Sequence, residues 1–384
     1  MKIEASSPGL VRALLAVGAA LLAAFAPASA APAVRTPAEL DAAVASARGG
    51  ETISLAPGEY GEVRVFNRNY AAPVTIRSAD PARPARMRRF RVIGSRNVNA
   101  RGLDIGAPLG PDDKEWTRVA EITNSNNITL ANVRVHGSLD GDPRNDGWGL
   151  FIRQSSDIQV LDSEFTELAL GILSESVDRL EIRRNRFHVI QRDGADFAGS
   201  SHVTIEDNRF SNFMPKDGAH PDAIQFWTAR QTKPSTDIVI RGNIVLQGHG
   251  GGMQGIFLGN EIGLRYRRVT IENNFLYSAV QYHGIMVDGA DELRIAGNTV
   301  VSPPDDVARY WIRVLNTKDG VVERNVTDDI TLEKASPRID NNIVFSRKRP
   351  DRRFLRALAA GAAADPLALI LPGHGYQPPN VDAR

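Results

Sequence analysis

A short strand that ends in asparagine followed by an apolar pair recurs along this chain, and that recurrence limits the fold more than any other feature. It reads Leu180-Glu181-Ile182-Arg183-Arg184-Asn185-Arg186-Phe187 and returns as Val203-Thr204-Ile205-Glu206-Asp207-Asn208-Arg209-Phe210. Further copies run over Ile238–Val245 with Asn243, Val269–Leu276 with Asn274 and Leu293–Val300 with Asn298, and weaker ones carry Asn325 and Asn342. The asparagines lie 17 to 35 residues apart, a spacing that suits one coil of a solenoid. Apolar and polar residues alternate with period two in each copy, so the unit is a strand and not a helix. A strand this short cannot bury its apolar side alone, and stacking coils is what makes a continuous core. The repeated Asn is read as structural: at the bend of a coil it tolerates left-handed backbone and can hydrogen-bond the neighbouring coil.

A second strand aligns in each coil. Its copies begin at Gly149-Leu150-Phe151, Gly171-Ile172-Leu173, Gly194-Ala195-Asp196, Ala223-Ile224-Gln225, Gly255-Ile256-Phe257, Gly284-Ile285-Met286 and Trp311-Ile312-Arg313. The second and fourth places are mostly apolar and are expected to face the core, leaving the first, third and fifth to face outward.

The run of Asn strands resembles the parallel β-helix repeat of pectate-lyase-like proteins, over residues 51–347. The resemblance implies an all-β fold, a right-handed parallel β-helix solenoid. It implies chemistry only loosely, because one fold hosts many functions. Residues 31–50 are expected to form an N-terminal capping helix. Thr36 stands at its N-cap, Pro37 at the first helical position and Glu39 completes a capping box. Residues 348–384 are read as a C-terminal tail that caps the far end or packs along the rod. Residues 1–30 read as a signal peptide: Lys2 and Arg12 flank an apolar run from Leu14 to Phe25, and Ala28-Ser29-Ala30 offers a small-residue cleavage site near Ala30. The expected location is therefore secreted or periplasmic, with no membrane attachment after signal removal.

Composition narrows the partners. A formal charge of +1 gives no strong pull on nucleic acid, and the absence of cysteine rules out disulfides and thiolate metal sites. A monomer acting on a polysaccharide is expected.

Stacking turns the second-strand alignment into a surface map. The place before each strand holds Asp193, Asp222, Gln254, His283 and Tyr310 in the middle coils, and the third place holds Asp196, Gln225 and Arg313. A merely solvated face favours Lys, Glu, Ser and Thr; this strip, flanked by Trp227, suits a sugar groove. His220, His249 and His283 fall in three successive coils. Proton abstraction α to a uronate carboxylate needs a group that neutralises the carboxylate, a base that titrates near neutrality, and an acid. Arg313 or Lys216 are candidates for the first role, His220 or His283 for the base, and Tyr282 or Tyr310 for the acid. Asp193, Asp196, Asp222, Gln225, Trp227, His249, Gln254 and Tyr310 are the candidate substrate-binding residues.

Many β-helix enzymes of the resembled superfamily are polysaccharide lyases or alginate C5-epimerases, so the resemblance implies a lyase or epimerase acting on a uronic-acid polymer. The Asp-Pro-His motif of the epimerases is reversed here as His220-Pro221-Asp222. Calcium is a possible cofactor through Asp193, Asp196, Asp217 and Asp222, although no loop has a diagnostic ligand spacing. Two alternatives stay open. One is an inverting glycoside hydrolase, for which Asp193 or Asp196 with Asp222 supply two carboxyl groups and the Asp-Asp pair of polygalacturonases is missing. The other is a non-catalytic polysaccharide-binding or surface protein.

The export reading has a direct check. N-terminal sequencing of the exported protein is expected to begin at or near Ala31, and an intact Met1 chain in the membrane fraction would contradict it.

Overall fold

A computed structural model describes residues 33–278, 282–303, 309–345, 371 and 373–378. The signal segment and most of the C-terminal tail lie outside the described residues. The chain forms a right-handed parallel β-helix of three long sheets. The first has 12 strands and runs from Thr52–Leu55 to Arg338–Asp340. The second and third have 11 each, running from Arg86–Met87 to Ile343–Val344 and from Glu62–Phe66 to Ile330–Glu333. Every strand-to-strand pairing is parallel, as between Leu180 and Val203 or Phe187 and Phe210. A typical coil takes Trp148–Arg153 in the third sheet, Ser156–Leu161 in the first and Glu164–Leu168 in the second.

Period-two alternation becomes a core of stacked identical positions. Phe165, Phe187 and Phe210 stack face to face with ring centroids 4.8 and 4.7 Å apart, the spacing of the coils themselves. Phe197 and Phe226 do the same at 4.6 Å. Helix Pro37–Ser46 closes the first coil by burying Leu40 and Val44. Its cap forms as the sequence indicates, with Glu39 N–H donating to Thr36 Oγ1 at 3.2 Å. Among the described residues no helix is long and apolar enough to cross a membrane. At the other end Tyr376 is buried against Phe275, and its N–H donates to Thr299 Oγ1, so this part of the tail packs along the flank of the second sheet.

The repeated asparagines form one buried ladder where the first sheet turns into the second. Asn208 Nδ2 donates to Asn243 Oδ1 at 3.0 Å, Asn243 to Asn274 at 2.9 Å, Asn274 to Asn298 at 2.9 Å and Asn298 to Asn325 at 3.0 Å. Each amide also reaches a backbone carbonyl of the preceding coil, as Asn243 does to Ile205 at 2.9 Å. The expectation that these asparagines hold the neighbouring coil is met. The expectation that they adopt left-handed backbone is not. Positive φ falls one residue earlier, at Arg184, Asp207, Gly242, Asn273, Gly297 and Arg324. That residue turns the chain on the outer side of the bend, while the next is aimed inward, where only a group that both donates and accepts can serve two coils.

Corner length decides where function can sit. After the loop 79–85, the first-to-second corner is tight, with two residues in each coil. The second-to-third corner holds the long loops 107–117, 137–147, 212–221 and 247–253. Two more, 228–235 and 259–265, lie at the third-to-first corner, so long loops flank the third sheet on both sides, and insertions that map to one face mark a solenoid's working face.

Removing one interior amide leaves buried backbone groups without partners. Asn243→Ala is expected to lower unfolding free energy by about 1–3 kcal/mol. The half-exposed Asn342→Ala should cost clearly less, with denaturant midpoints as the measurement.

Candidate functional site

The third sheet carries the candidate strip beside those long loops. Its third-place residues stand in register as Phe151, Leu173, Asp196, Gln225, Phe257, Met286 and Arg313. Asp222 pairs with Gln254 in the place before. His220 with Asp222, then Gln254, His283 and Arg313, therefore come from four consecutive coils spaced ~4.8 Å apart.

Tyr310 breaks the expected map. A register irregularity between His283 and Ile285 brings Trp311, not Tyr310, opposite His283, with the rings 4.8 Å apart edge to face. Tyr310 turns inward, wholly buried, and its hydroxyl donates to the Met253 carbonyl at 3.1 Å. It is a core residue, and burial raises its pKa far above the ordinary phenol value. Neither a substrate contact nor an acid role fits it. Trp311 takes the outward place instead; the sequence shows the aromatic pair Tyr310-Trp311 but not the irregularity that decides between them.

Asp193, Asp196 and Asp222 are buried side by side. Asp193 Oδ1 accepts the Asp222 N–H at 2.8 Å, and Gln225 Nε2 donates to Asp222 Oδ2 at 3.0 Å. Asp196 Oδ1 and Asp222 Oδ1 have no partner although both are buried. Desolvation raises the pKa of all three. Asp193 and Asp222 push Asp196 up further, and Asp193 does the same to Asp222. Part of the desolvation comes from outside the core. Phe151, Leu170 and Leu173 form an apolar cluster on the exterior of the rod, with Trp148 and Trp227 packed against it. Leu173 is the ladder neighbour of Asp196.

His220 is exposed at the end of loop 212–221, and its Nδ1 lies 3.0 Å from Gln254 Nε2. The Tyr282 ring lies 5.3 Å from the His220 ring. With Gln254 Nε2 donating, the ring proton is on Nε2; with the amide turned over, Oε1 accepts from Nδ1–H and the Nε2 lone pair faces outward. Gln254 Oε1 otherwise has no partner. His283 is different. Arg313 Nη1 lies 3.0 Å from its Nε2 and occupies that lone pair, while its buried Nδ1 has no partner. Burial and then the Arg313 charge push its pKa down to about 4. His283 is thus a neutral donor, not a base. Arg313 is held by Glu333 at 2.7 Å, and Arg309 stacks over Trp311 at 4.3 Å.

Other predicted residues stand apart. Lys216 is exposed and faces Glu115 at 3.7 Å. His249 is exposed on a turn tied to Asn212 through its backbone N–H, and among the described residues no contact joins its ring to the aspartates. The groove aspartates do not form a set whose carboxylates all approach within 4.8 Å; among the described residues Asp140, Asp146 and Glu167 do. No step is therefore assigned to calcium.

Fold and site define the class of protein: a right-handed parallel β-helix with an acidic and aromatic strip along one sheet. The family profile described as "Right handed beta helix region" matches residues 119–300. A search of curated proteins finds no match. Among solved structures, an alginate lyase from Paenibacillus sp. is similar with a TM-score of 0.54 at 18% identity, over 81% of this chain and 98% of that one. A polysaccharide lyase of family PL6 from Pseudopedobacter saltans gives 0.51 at 11% identity over 84% and 94%. The A-module of a mannuronan C-5 epimerase from Azotobacter vinelandii gives 0.50 at 16% identity over 81% and 91%. At these identities the likeness is one of fold.

The buried carboxyls make a signed prediction. A carboxyl whose folded pKa is raised contributes stability that is full below the unfolded value of ~3.9 and is lost as pH rises through the folded pKa. Asp196→Asn should therefore raise the melting temperature at pH 8 and make little difference at pH 4. His283 acts in the opposite sense: its share is present above ~6.5 and lost as pH falls through about 4. Melting curves across pH for wild type and Asp196→Asn read this directly.

Proposed function

We propose that the protein removes the proton α to the carboxylate of uronic acid residues in a polysaccharide, as a lyase or C5-epimerase of an exported, periplasmic or secreted kind. One observation carries this: the two buried carboxyl groups of Asp196 and Asp222, with unpartnered oxygens and pKa values raised by burial, next to the exposed and amide-held His220. A carboxylic acid kept neutral can donate a hydrogen bond to the charge that develops when a carbanion forms beside a carboxylate. His220 Nε2, with Gln254 accepting from Nδ1–H, takes the proton from C5. The electron pair moves into the C5–carboxylate system, where Asp222 and Asp196 stabilise it. In elimination the pair then forms the C4–C5 double bond, the C4–O bond breaks, and the leaving oxygen takes a proton from Tyr282. In epimerisation C5 receives a proton on the opposite face and no bond to oxygen breaks. Arg313 and the His283 Nδ1–H sit further along the strip, where a neighbouring sugar carboxylate would lie.

Inverting hydrolysis is the weaker reading. It needs one ionised carboxylate to activate water, and burial pushes all three strip aspartates toward the neutral form.

The test is incubation with alginate, polygalacturonate and a neutral glucan, reading unsaturated ends, reducing ends and the uronate epimer ratio. Unsaturated ends or an altered ratio are expected, and His220→Ala should reduce them ~10²–10⁴-fold without altering the melting temperature. Tyr282→Phe should suppress elimination more than exchange of the C5 hydrogen with solvent deuterium. Reducing ends without unsaturation would sink the proposal.

A further inference from the structure

An apolar cluster on the outside of a β-helix needs a reason, because outward positions add little to the core. Phe151, Leu170 and Leu173 are all buried, yet they belong to a cluster separate from the rod interior. Trp148 and Trp227 roof it while keeping part of their own surface exposed. The Trp148 Nε1 atom is buried without a hydrogen-bond partner. Tryptophan normally finds a partner for that N–H when it is covered, and an unmade bond costs free energy.

The position of the cluster says what it meets. Leu170 and Trp148 occupy the same strand place as Asp193 and Asp222, two and three coils away from Asp222. The distance from Asp222 to Trp148 along the rod is therefore ~14 Å. A polysaccharide lying on the aspartates and running toward the N-terminal coils must cross the Trp148 indole, while Trp227, at the far end of the strand that Asp222 begins, edges the strip beside it. Beyond Trp148 the strip is closed by Arg118, whose guanidinium sits 3.7 Å over the Phe151 ring and pairs with Glu121 at 2.9 Å. Arg118 is thereby neutralised, so the Trp148 end of the strip adds no free cation of its own, the exposed Arg192 lying nearer the centre beside Asp193 and Asp196.

The geometry points to a glycan-binding subsite on Trp148 and Trp227 that holds sugar units distant from the reacting one by their ring faces, with Trp148 Nε1–H donating to a sugar hydroxyl. It rests on the polysaccharide reading of the same groove and adds that these distal units are selected by shape and hydroxyls, not by charge. Neutral sugars at those positions should be accepted.

Affinity electrophoresis of the full chain through gels containing alginate, polygalacturonate or a neutral glucan tests this without relying on turnover. Wild type should be retarded, and Trp148→Ala should weaken the retardation constant at least fivefold, with Trp227→Ala acting in the same direction. The Trp148 contribution should persist in high salt, since no ion pair makes it. Ile339→Ala, at an exposed site on another sheet, should change nothing. Trp148→Phe keeps the packing and removes only the N–H; it should fall between wild type and Ala, and it carries the test should the Ala variant lose its fold. Retardation by the neutral glucan alone, lost in the Trp148 variants, would keep the subsite and overturn the uronate chemistry. Wild-type retardation in folded Trp148→Ala, or no retardation of wild type by any of the three polymers, would overturn the subsite.

Discussion

The buried ladder of asparagine amides fixes everything else in this rod. Each amide binds the coil below and the coil above, so a slip of one residue in any coil would strand two donors and an acceptor in the interior. Alternation already forbids a slip of one residue, which would turn every apolar side chain outward, but it does not by itself forbid a slip of two. The ladder supplies the missing specification at Asn185, Asn208, Asn243, Asn274, Asn298 and Asn325. Once register is set, outward residues of unrelated coils become neighbours at the coil spacing. Asp196 beside Gln225 and Leu173 beside Asp196 follow from it.

The sequence therefore disclosed the fold and the ladder of third-place residues well, since both depend on local alternation and a repeated side chain. It was misleading where geometry is decided by a single residue. The positive φ lies on Arg184, Asp207 and their equivalents and not on the asparagines, because a residue turned outward can absorb the strain and one turned inward must bond. Tyr310 and Trp311 exchanged roles through one irregularity in pairing with His283. Nothing local announces the burial of Asp193, Asp196 and Asp222, which depends on apolar side chains contributed by other coils. The loops that flank the third sheet were readable in principle, as long gaps on either side of its strands.

Desolvation acts on the strip in two directions with one result. It raises the aspartates and lowers His283, so the carboxyls and this imidazole alike move toward their neutral forms. Three of the cations nearby are paired, Arg313 with Glu333, Arg309 with Asp329 and Arg118 with Glu121, while Arg192 stands exposed beside Asp193 and Asp196 and opposes the rise of their pKa. The groove thus offers oriented donors around one exposed arginine and not a free cation at every coil.

That distinction bears on how a polymer would move through such a site. A fixed cation at each coil would hold a polyuronate in deep wells at every register and slow its advance. Neutral donors bind strongly only where charge concentrates, which in proton abstraction is the carboxylate of the reacting sugar at the moment its α-proton leaves. Stabilisation is then larger in the transition state than in the bound ground state, the condition under which binding free energy accelerates chemistry. The indoles of Trp148 and Trp227 fit the same logic, because stacking on a ring face changes little as one sugar replaces the next. Grip from the indoles and differential stabilisation from the acidic centre are separate duties, and the coil register is what places Trp148 ~14 Å from Asp222 on one line.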